Sequence, residues 1–212
     1  MTKPRSRTEP PAVAPQGPTF VSRGGLKLHH ALTHFGIVPT GWTCADLGCS
    51  TGGFTDCLLQ AGAARVHSVD TAYGELAWKL RNDPRVVVTE RTNALHAAPP
   101  QGGVELVVVD MSWAPQRRVV PAALRWLNAS GRIITLIKPH YELKDREPKG
   151  LPRGGVLDEA AAQVECQRTL DSIPALGATV LGVTPSPILG GAHKGKGTGN
   201  VEYLALLGVR SA

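Results

Sequence analysis

The chain has 212 residues, of which 42% are hydrophobic and 19% charged, and its formal net charge is +6. This length suits one domain, and this composition excludes an acidic disordered chain. No stretch reaches the roughly 18 apolar residues of a membrane span, and the Pro-rich segment 1–20 lacks the apolar core of a secretory signal. Four cysteines without metal-ligand spacing are predicted to be free thiols of a cytoplasmic protein.

Most of the positive charge lies near the N-terminus. Residues 1–44 hold five Lys and Arg residues against one acidic residue. The prolines of segment 1–20 oppose regular structure, so we predict a disordered basic tail there and a single domain over 21–212. A weak electrostatic arm toward phosphate is the functional alternative to a solvated tail.

Helices and strands alternate after this tail. Strands are predicted at 42–47, 64–69, 85–89, 104–110, 132–137, 178–183 and 201–207, and helices at 24–35, 54–61, 75–81, 115–127 and 157–173. Runs such as VELVVVD are apolar throughout, as parallel strands buried on both faces are. We therefore predict an α/β doubly wound sheet of seven strands, with two long polar loops (140–155 and 184–200) at its ligand-binding edge.

The segment DLGCSTGGF is the strongest local signal, because it links a strand to a helix through a glycine-rich turn. It is neither a dinucleotide fingerprint nor a phosphate-binding P-loop, since the second glycine and the Gly-Lys pair are missing. Asp70 ends the next strand and could accept the hydroxyls of a ribose. This order predicts a cofactor of the S-adenosylmethionine type, and the alternative is an ordinary glycine-rich turn. The predicted cofactor-binding residues in the turn are Asp46, Gly48, Ser50, Thr51, Gly52 and Gly53.

A second signal is distributed over four charged residues: Lys27, Asp110, Lys138 and Glu202. Charged side chains at the ends of buried strands are costly unless they are paired or functional. Two lysines beside two carboxylates could orient one lysine and hold it neutral, so that it takes a proton from an attacking alcohol. Ordinary ion pairing is the alternative interpretation.

These residues lie in segments that resemble the TlyA (hemolysin A) family of ribosomal RNA 2′-O-methyltransferases, within the FtsJ-like group. The matching segments are FVSRGGLKL (20–28), DLGCSTGGFTDCLLQAGA (46–63), VDTAYGELAWKLRNDPRV (69–86), ERTNA (90–94), VVVDMS (107–112), LIKPHYE (136–142), KGLPRGGV (149–156), SPI (186–188) and GNVEYL (199–204). The resemblance implies a class I, Rossmann-like methyltransferase fold, S-adenosylmethionine as cofactor, and no metal.

The resemblance also implies roles for individual residues. Lys138 would be the base toward the ribose hydroxyl, Lys27 and Asp110 would tune and position it, and Glu202 would complete the set. Asn93 would lie near the adenine. The family usually carries a small S4-type RNA-binding domain before the SRGG segment, and here a tail of about twenty residues stands there. A protein partner could supply the RNA contacts of that domain.

Five further residues are candidates for substrate binding: Arg23, Trp113, Lys144, Lys194 and Lys196. Trp113 could stack on a base or pack in the core, and His29, His30 and His34 are assigned to a solvated helix face rather than to a metal. The leading hypothesis is methylation of ribosomal RNA at the ribose 2′-oxygen. The alternatives are an O-methyltransferase for a small metabolite and a non-catalytic RNA-binding factor that kept the fold.

Overall fold

A computed structural model describes residues 18–111, 114–152, 154–191 and 199–210. Its strands are β1 (Thr43–Leu47), β2 (Arg65–Val69), β3 (Val86–Thr89), β4 (Val104–Val109), β5 (Leu127–Ile137), β6 (Ala178–Pro185) and β7 (Tyr203–Val209). Its helices are α1 (Gly24–Phe35), α2 (Gly53–Gln60), α3 (Trp78–Arg81), α4 (Gln116–Leu124), α5 (Pro139–Arg146) and α6 (Glu159–Ser172), and a short 3₁₀ turn (Ile173–Leu176) follows α6.

The seven strands form one sheet in the order β3-β2-β1-β4-β5-β7-β6. The pairs from β3 through β5 are parallel, whereas β7 runs antiparallel to both β5 and β6. The carboxyl ends of β1, β2, β4 and β5 therefore lie at one edge of the sheet, and the start of β7 lies at the same edge. This is the predicted α/β class I methyltransferase architecture.

Alternate residues of the central strands point to opposite faces of the sheet, and each face carries its own core. Cys44, Leu106 and Ile134 pack with side chains of α1, α2 and α3. Val107 and Ile133 pack with side chains of α4 and α6 on the other face. This two-sided burial explains the nearly continuous apolar runs in the sequence.

The N-terminal end of the described chain is tied to the domain. The backbone N of Val21 donates a hydrogen bond to Oδ2 of Asp56 in α2 at 2.8 Å. The Phe20 ring lies against Gly25 of α1, where an added Cβ would stand 2.3 Å from its Cγ. The tail predicted for 1–20 lies mostly outside the described residues.

Three elements differ from the prediction. β5 begins at Leu127 rather than at residue 132, and α3 covers only the last four residues of the helix predicted over 75–81. The segment predicted as a loop over 140–155 begins with α5, a helix of 8 residues. Pro139 occupies the first helical turn, where its missing N–H costs nothing, and Arg146 near the end of α5 pairs with Glu165 of α6 at 2.6 Å. The sequence signal was weak because α5 is held by charged contacts rather than by an apolar stripe.

All four cysteines are buried and free. Within the described ranges, no helix is both long and apolar enough to cross a membrane. Among the same residues, no group of three or more His, Cys, Asp or Glu side chains could hold a metal ion.

Candidate active site

A cleft of about 420 Å³ opens at the carboxyl edge of the sheet. It is bounded by the start of α1, the turn between β1 and α2, the chain that follows β4 and β5, and the described residues between β6 and β7. The predicted residues that line it are Arg23, Lys27, Asp46, Gly48, Ser50, Thr51, Gly53, Asp110, Lys138 and Glu202. The fold thus brings both predicted signals to one cavity.

The β1–α2 turn is shaped by its backbone. Gly48 has φ +90°, and Ser50 adopts the left-handed conformation at φ +46°, which is uncommon for a residue with a side chain. The backbone N atoms of Gly48 and Cys49 both donate to the carbonyl oxygen of Val69 at the end of β2. This turn therefore fixes the end of β1 against the end of β2.

The other two glycines of the turn serve packing inside the protein. A Cβ on Gly53 would lie 2.8 Å from the backbone N of Gly25, so the first turns of α1 and α2 are in close contact. Gly52 does not border the cleft, and a Cβ there would meet the Leu80 side chain at 2.4 Å.

Asp46 presents a buried carboxylate oxygen beneath the cleft. Its Oδ2 accepts hydrogen bonds from the backbone N of Thr55 at 2.9 Å and from the Thr55 hydroxyl at 2.7 Å. Its Oδ1 is buried and has no hydrogen-bond partner among the described residues. Burial raises the pKa of Asp46 to about 7, and the carboxylates of Asp110 and Asp70 add to the rise. Such an oxygen can accept a hydrogen bond from a positively charged ligand group.

Asp70 borders a second cavity of about 200 Å³, which shares Gly48, Ser50 and Asp110 with the main cleft. The Asp70 carboxylate accepts hydrogen bonds from the backbone N of Ser50 and of Ala72, each at 2.8 Å. These contacts fix the carboxylate while leaving acceptor capacity toward the cavity.

Asn93 is the predicted neighbour of an adenine. Its side-chain oxygen accepts from the backbone N of Leu95 at 3.0 Å, and the adjacent residue, Ala94, lines the second cavity. Asn93 therefore shapes the loop that borders this cavity, and its contact with a nucleoside stays a prediction.

The four charged residues meet in the main cleft. Nζ of Lys27 donates to Oε2 of Glu202 at 2.5 Å and lies 3.9 Å from Oδ2 of Asp110. Nζ of Lys138 donates to Oδ1 of Asp110 at 2.5 Å. Lys27, Lys138 and Glu202 are all less than 9% exposed. Asp110 is therefore the residue that joins the two lysines.

The direction of β7 explains how Glu202 reaches this cluster. Glu202 directly precedes β7, and antiparallel pairing places Tyr203 opposite Ile137, the residue before Lys138. A close contact of the chain completes the arrangement, since a Cβ on Gly190 would lie 2.4 Å from Oε1 of Glu202. The start of an antiparallel strand thus meets the ends of parallel ones.

The predicted substrate-binding residues are only partly within the described chain. Arg23 is exposed at the start of α1 and lines the cleft. Lys144 is exposed near the end of α5, outside the cleft lining. Trp113, Lys194 and Lys196 lie outside the described residues.

His140 is a cleft residue that the sequence interpretation missed. Burial lowers its pKa to about 4, and the charges of Lys138 and Lys144 add to the shift, so the ring is neutral near pH 7. Its Nδ1 is buried and has no partner among the described residues. The sequence offered one signal for His140, because it lies two residues after Lys138. This signal was overlooked because segment 140–155 was predicted to be a polar loop.

The family profile of FtsJ-like methyltransferases matches residues 20–205. The 16S/23S rRNA (cytidine-2′-O)-methyltransferase TlyA of Mycobacterium tuberculosis is 41% identical over 192 residues, which cover 89% of this chain and 68% of that protein. Hemolysin A of Brachyspira hyodysenteriae is 36% identical over 88% of this chain and 75% of its own length.

Solved structures agree with this relationship. The crystal structure of a candidate hemolysin from Lactococcus lactis has a TM-score of 0.79 and 39% identity, and the match covers 89% of this chain and 88% of that one. An S-adenosylmethionine-dependent methyltransferase from Mesorhizobium loti shares the fold at 13% identity, with a TM-score of 0.58 over 84% of this chain and 95% of that one. This chain is a methyltransferase that belongs to the FtsJ-like family and, within it, to the TlyA group.

Proposed function

We propose that this protein transfers the methyl group of S-adenosylmethionine to a ribose 2′-hydroxyl of RNA, with ribosomal RNA as the target. The observation that carries the proposal is the meeting of Lys27, Asp110, Lys138 and Glu202 beside the free carboxylate oxygen of Asp46 in one cleft. The rRNA methyltransferase activity in the name of the Mycobacterium tuberculosis relative supports RNA as the substrate class.

The residues at the β1–α2 turn fit the proposed cofactor. The unpartnered Oδ1 of Asp46 suits the cationic amino group of the methionine portion, and Asp70 suits the two hydroxyls of the ribose. When bound, S-adenosylmethionine supplies a methyl group on a positively charged sulfur, which leaves as a neutral thioether.

The acceptor side is organised for proton removal. In its neutral amine form, Lys138 accepts the hydroxyl proton at Nζ as the acceptor oxygen forms its bond to the methyl carbon. The carboxylate of Asp110 then stabilises the resulting ammonium through the contact at 2.5 Å. Glu202 holds Lys27 at 2.5 Å, so that Lys27 stays beside Asp110 and orients its carboxylate. Positioning and electrostatics supply most of the rate in such a transfer.

The test is methyl transfer from labelled S-adenosylmethionine to ribosomal subunits, to bare ribosomal RNA and to small hydroxyl compounds. We expect label in 2′-O-methylated nucleosides after nuclease digestion, with RNA binding that weakens steeply as salt increases. Label on a base, or transfer only to small compounds with little salt dependence, would contradict the proposal. RNA binding without any transfer would favour the non-catalytic alternative.

A further inference from the structure

The backbone on both sides of Lys138 is held by one residue at the start of α4. Lys138 follows β5 directly and is the N-cap of α5, so its Cα stands at a junction between two elements. Asp110, its partner, follows β4 directly, and α4 begins at Gln116 six positions later. The placement of Lys138 against Asp110 therefore depends on how α4, β5 and α5 are joined.

The Gln116 side chain binds the end of β5. This residue is 3% exposed. Its Nε2 donates a hydrogen bond to the carbonyl oxygen of Leu136 at 3.3 Å, and its Oε1 accepts one from the Thr135 hydroxyl at 3.0 Å. Both partners lie within three residues of Lys138. The buried amide of Gln116 thus donates one hydrogen bond to the end of β5 and accepts another from it.

The Gln116 backbone binds α5 through Glu142. The backbone N of Gln116 donates to Oε1 of Glu142 at 3.0 Å. Glu142 lies one turn beyond Lys138, and its own N donates to the Lys138 carbonyl oxygen at 3.2 Å. This contact gives a partner to one of the N–H groups that the first turn of α4 leaves without an intrahelical acceptor.

The surroundings of Glu142 disfavour the charged form of its carboxyl group. Burial raises its pKa to about 7, and the neighbouring Asp145 and Glu165 add to the rise. The hydrogen bond from Gln116 and the charge of Arg117 oppose it. A partly buried carboxylate with acidic neighbours costs stability, so its contact with Gln116 points to a demand on geometry rather than on stability.

We propose that Gln116 and Glu142 are positioning residues of methyl transfer, which hold the backbone of Lys138 in register with Asp110. The ion pair fixes only the Nζ end of a flexible side chain, and these contacts fix the backbone end. Displacement of a catalytic group by about 1 Å can reduce a rate about 100-fold. The inference rests on the proposed function, because it assigns Lys138 to proton transfer.

Paired variants separate positioning from stability at Gln116. We expect Gln116→Leu to lower kcat about 10- to 100-fold, while KM for RNA and Kd for the cofactor stay within about twofold. The double variant Gln116→Leu/Thr135→Val also removes the stranded hydroxyl, so it should regain thermal stability without regaining kcat. If kcat recovered together with stability in the double variant, the contacts would be structural only and the proposal would be overturned.

Glu142 offers a rescue by a conservative variant. Glu142→Gln keeps an acceptor oxygen for the Gln116 backbone, and we expect its kcat to stay within about threefold of wild type. Glu142→Leu is of similar size but lacks the acceptor, and it should lower kcat about 10-fold or more. Equal kcat in these two variants would contradict a role for the hydrogen bond.

A measurement that needs no turnover keeps this inference distinct from the proposed function. Competitive acetylation with a limiting reagent, read by mass spectrometry, compares Lys138 with Lys79 on α3 as the internal reference. Gln116→Leu and Glu142→Leu should change the Lys138 to Lys79 labelling ratio severalfold, and Glu142→Gln should not. If wild-type protein methylated no acceptor, the proposed function would fail, and an unchanged labelling ratio would independently refute the positioning role.

Discussion

The two halves of the cleft are built in different ways. The cofactor half, named for its proposed ligand, is formed by the β1–α2 turn and by Asp70 in the adjoining cavity, and the positions of these residues follow from local backbone conformations and hydrogen bonds. The acceptor half, formed by Lys27, Asp110, Lys138 and Glu202, joins residues up to 175 positions apart through ion pairs. Substitutions in the first half should therefore act on ligand affinity, and substitutions in the second on turnover.

The largest expected effect is in the acceptor half. Lys138→Ala removes the proposed base, and general base catalysis is worth about 10²–10⁴-fold, so methyl transfer should fall about 10³-fold or more. Cofactor affinity, measured by calorimetry, should remain within about twofold, because Asp46 and Asp70 are untouched. Lys79→Ala, at a lysine whose side chain is 57% exposed, is the matched control and should retain activity. Wild-type turnover by Lys138→Ala would show that the assignment is wrong.

The cofactor half should respond in affinity. Asp46→Asn replaces the buried carboxylate with an amide of the same shape, and the loss of a charged hydrogen bond should raise Kd for S-adenosylmethionine about 10- to 100-fold. The ligand-free variant should be more stable than wild type at pH 8, because burial raises the pKa of Asp46 to about 7. Glu142→Gln, in the other half, is the affinity control. Unchanged Kd in Asp46→Asn would remove Asp46 from the binding site.

A second pH effect on stability should arise beside the acceptor half, at Glu142. Burial raises the pKa of Glu142 from 4.5 to about 7, so its favourable contribution is complete below about pH 4.5 and is lost as pH rises through 7. The side chain of Glu142→Gln does not titrate. The free energy of unfolding of this variant should therefore exceed that of wild type by an amount that grows from pH 4.5 to 8 and reaches about 2–3 kcal/mol.

Chemical denaturation at several pH values measures this advantage. Asp46 titrates in the same range in both proteins, and its contribution therefore cancels in the comparison. A difference that is independent of pH would show that Glu142 does not titrate near neutrality in the folded protein.

The smallest expected effect lies where the two halves join. Gly53→Ala would place a Cβ 2.8 Å from the backbone N of Gly25, so we expect a loss of about 1–3 kcal/mol in the free energy of unfolding. Gly24→Ala is the neighbouring control, because its Cβ would have no contact shorter than 3.4 Å. Equal stability of the two variants would show that the packing of α1 on α2 tolerates extra volume.

The glycine-rich turn proposed to bind the cofactor could be located from the sequence because its residues are contiguous in the chain. Asp46, the glycines and Asp70 lie close together because β1 and β2 are adjacent parallel strands, and such strands end at the same edge of the sheet. The role of Gly53 could not be predicted in the same way. The absence of a side chain at Gly53 makes room for α1, and the sequence of the turn does not show that α1 packs there.

The acceptor half was predicted as a set of residues but not as a geometry. Charged residues beside apolar runs marked Asp110 and Lys138, whereas the place of Glu202 depends on an antiparallel strand. Helix α5 and the polar contacts of Gln116 were missed, because they rest on hydrogen bonds and ion pairs between elements distant in sequence. Such contacts leave no periodic pattern in the chain.

By itself, the sequence determined the doubly wound sheet, the place of the glycine-rich turn after β1 and the charged residues that stand at the ends of apolar runs. These follow from local rules, namely strand burial, the conformational freedom of glycine and the cost of placing charge beside apolar segments. The tertiary structure alone decided that β7 runs against β5, that Asp110 bridges two lysines, and that Gln116 ties α4 to both sides of Lys138. These depend on which distant segments pack together, and packing is a property of the whole folded chain.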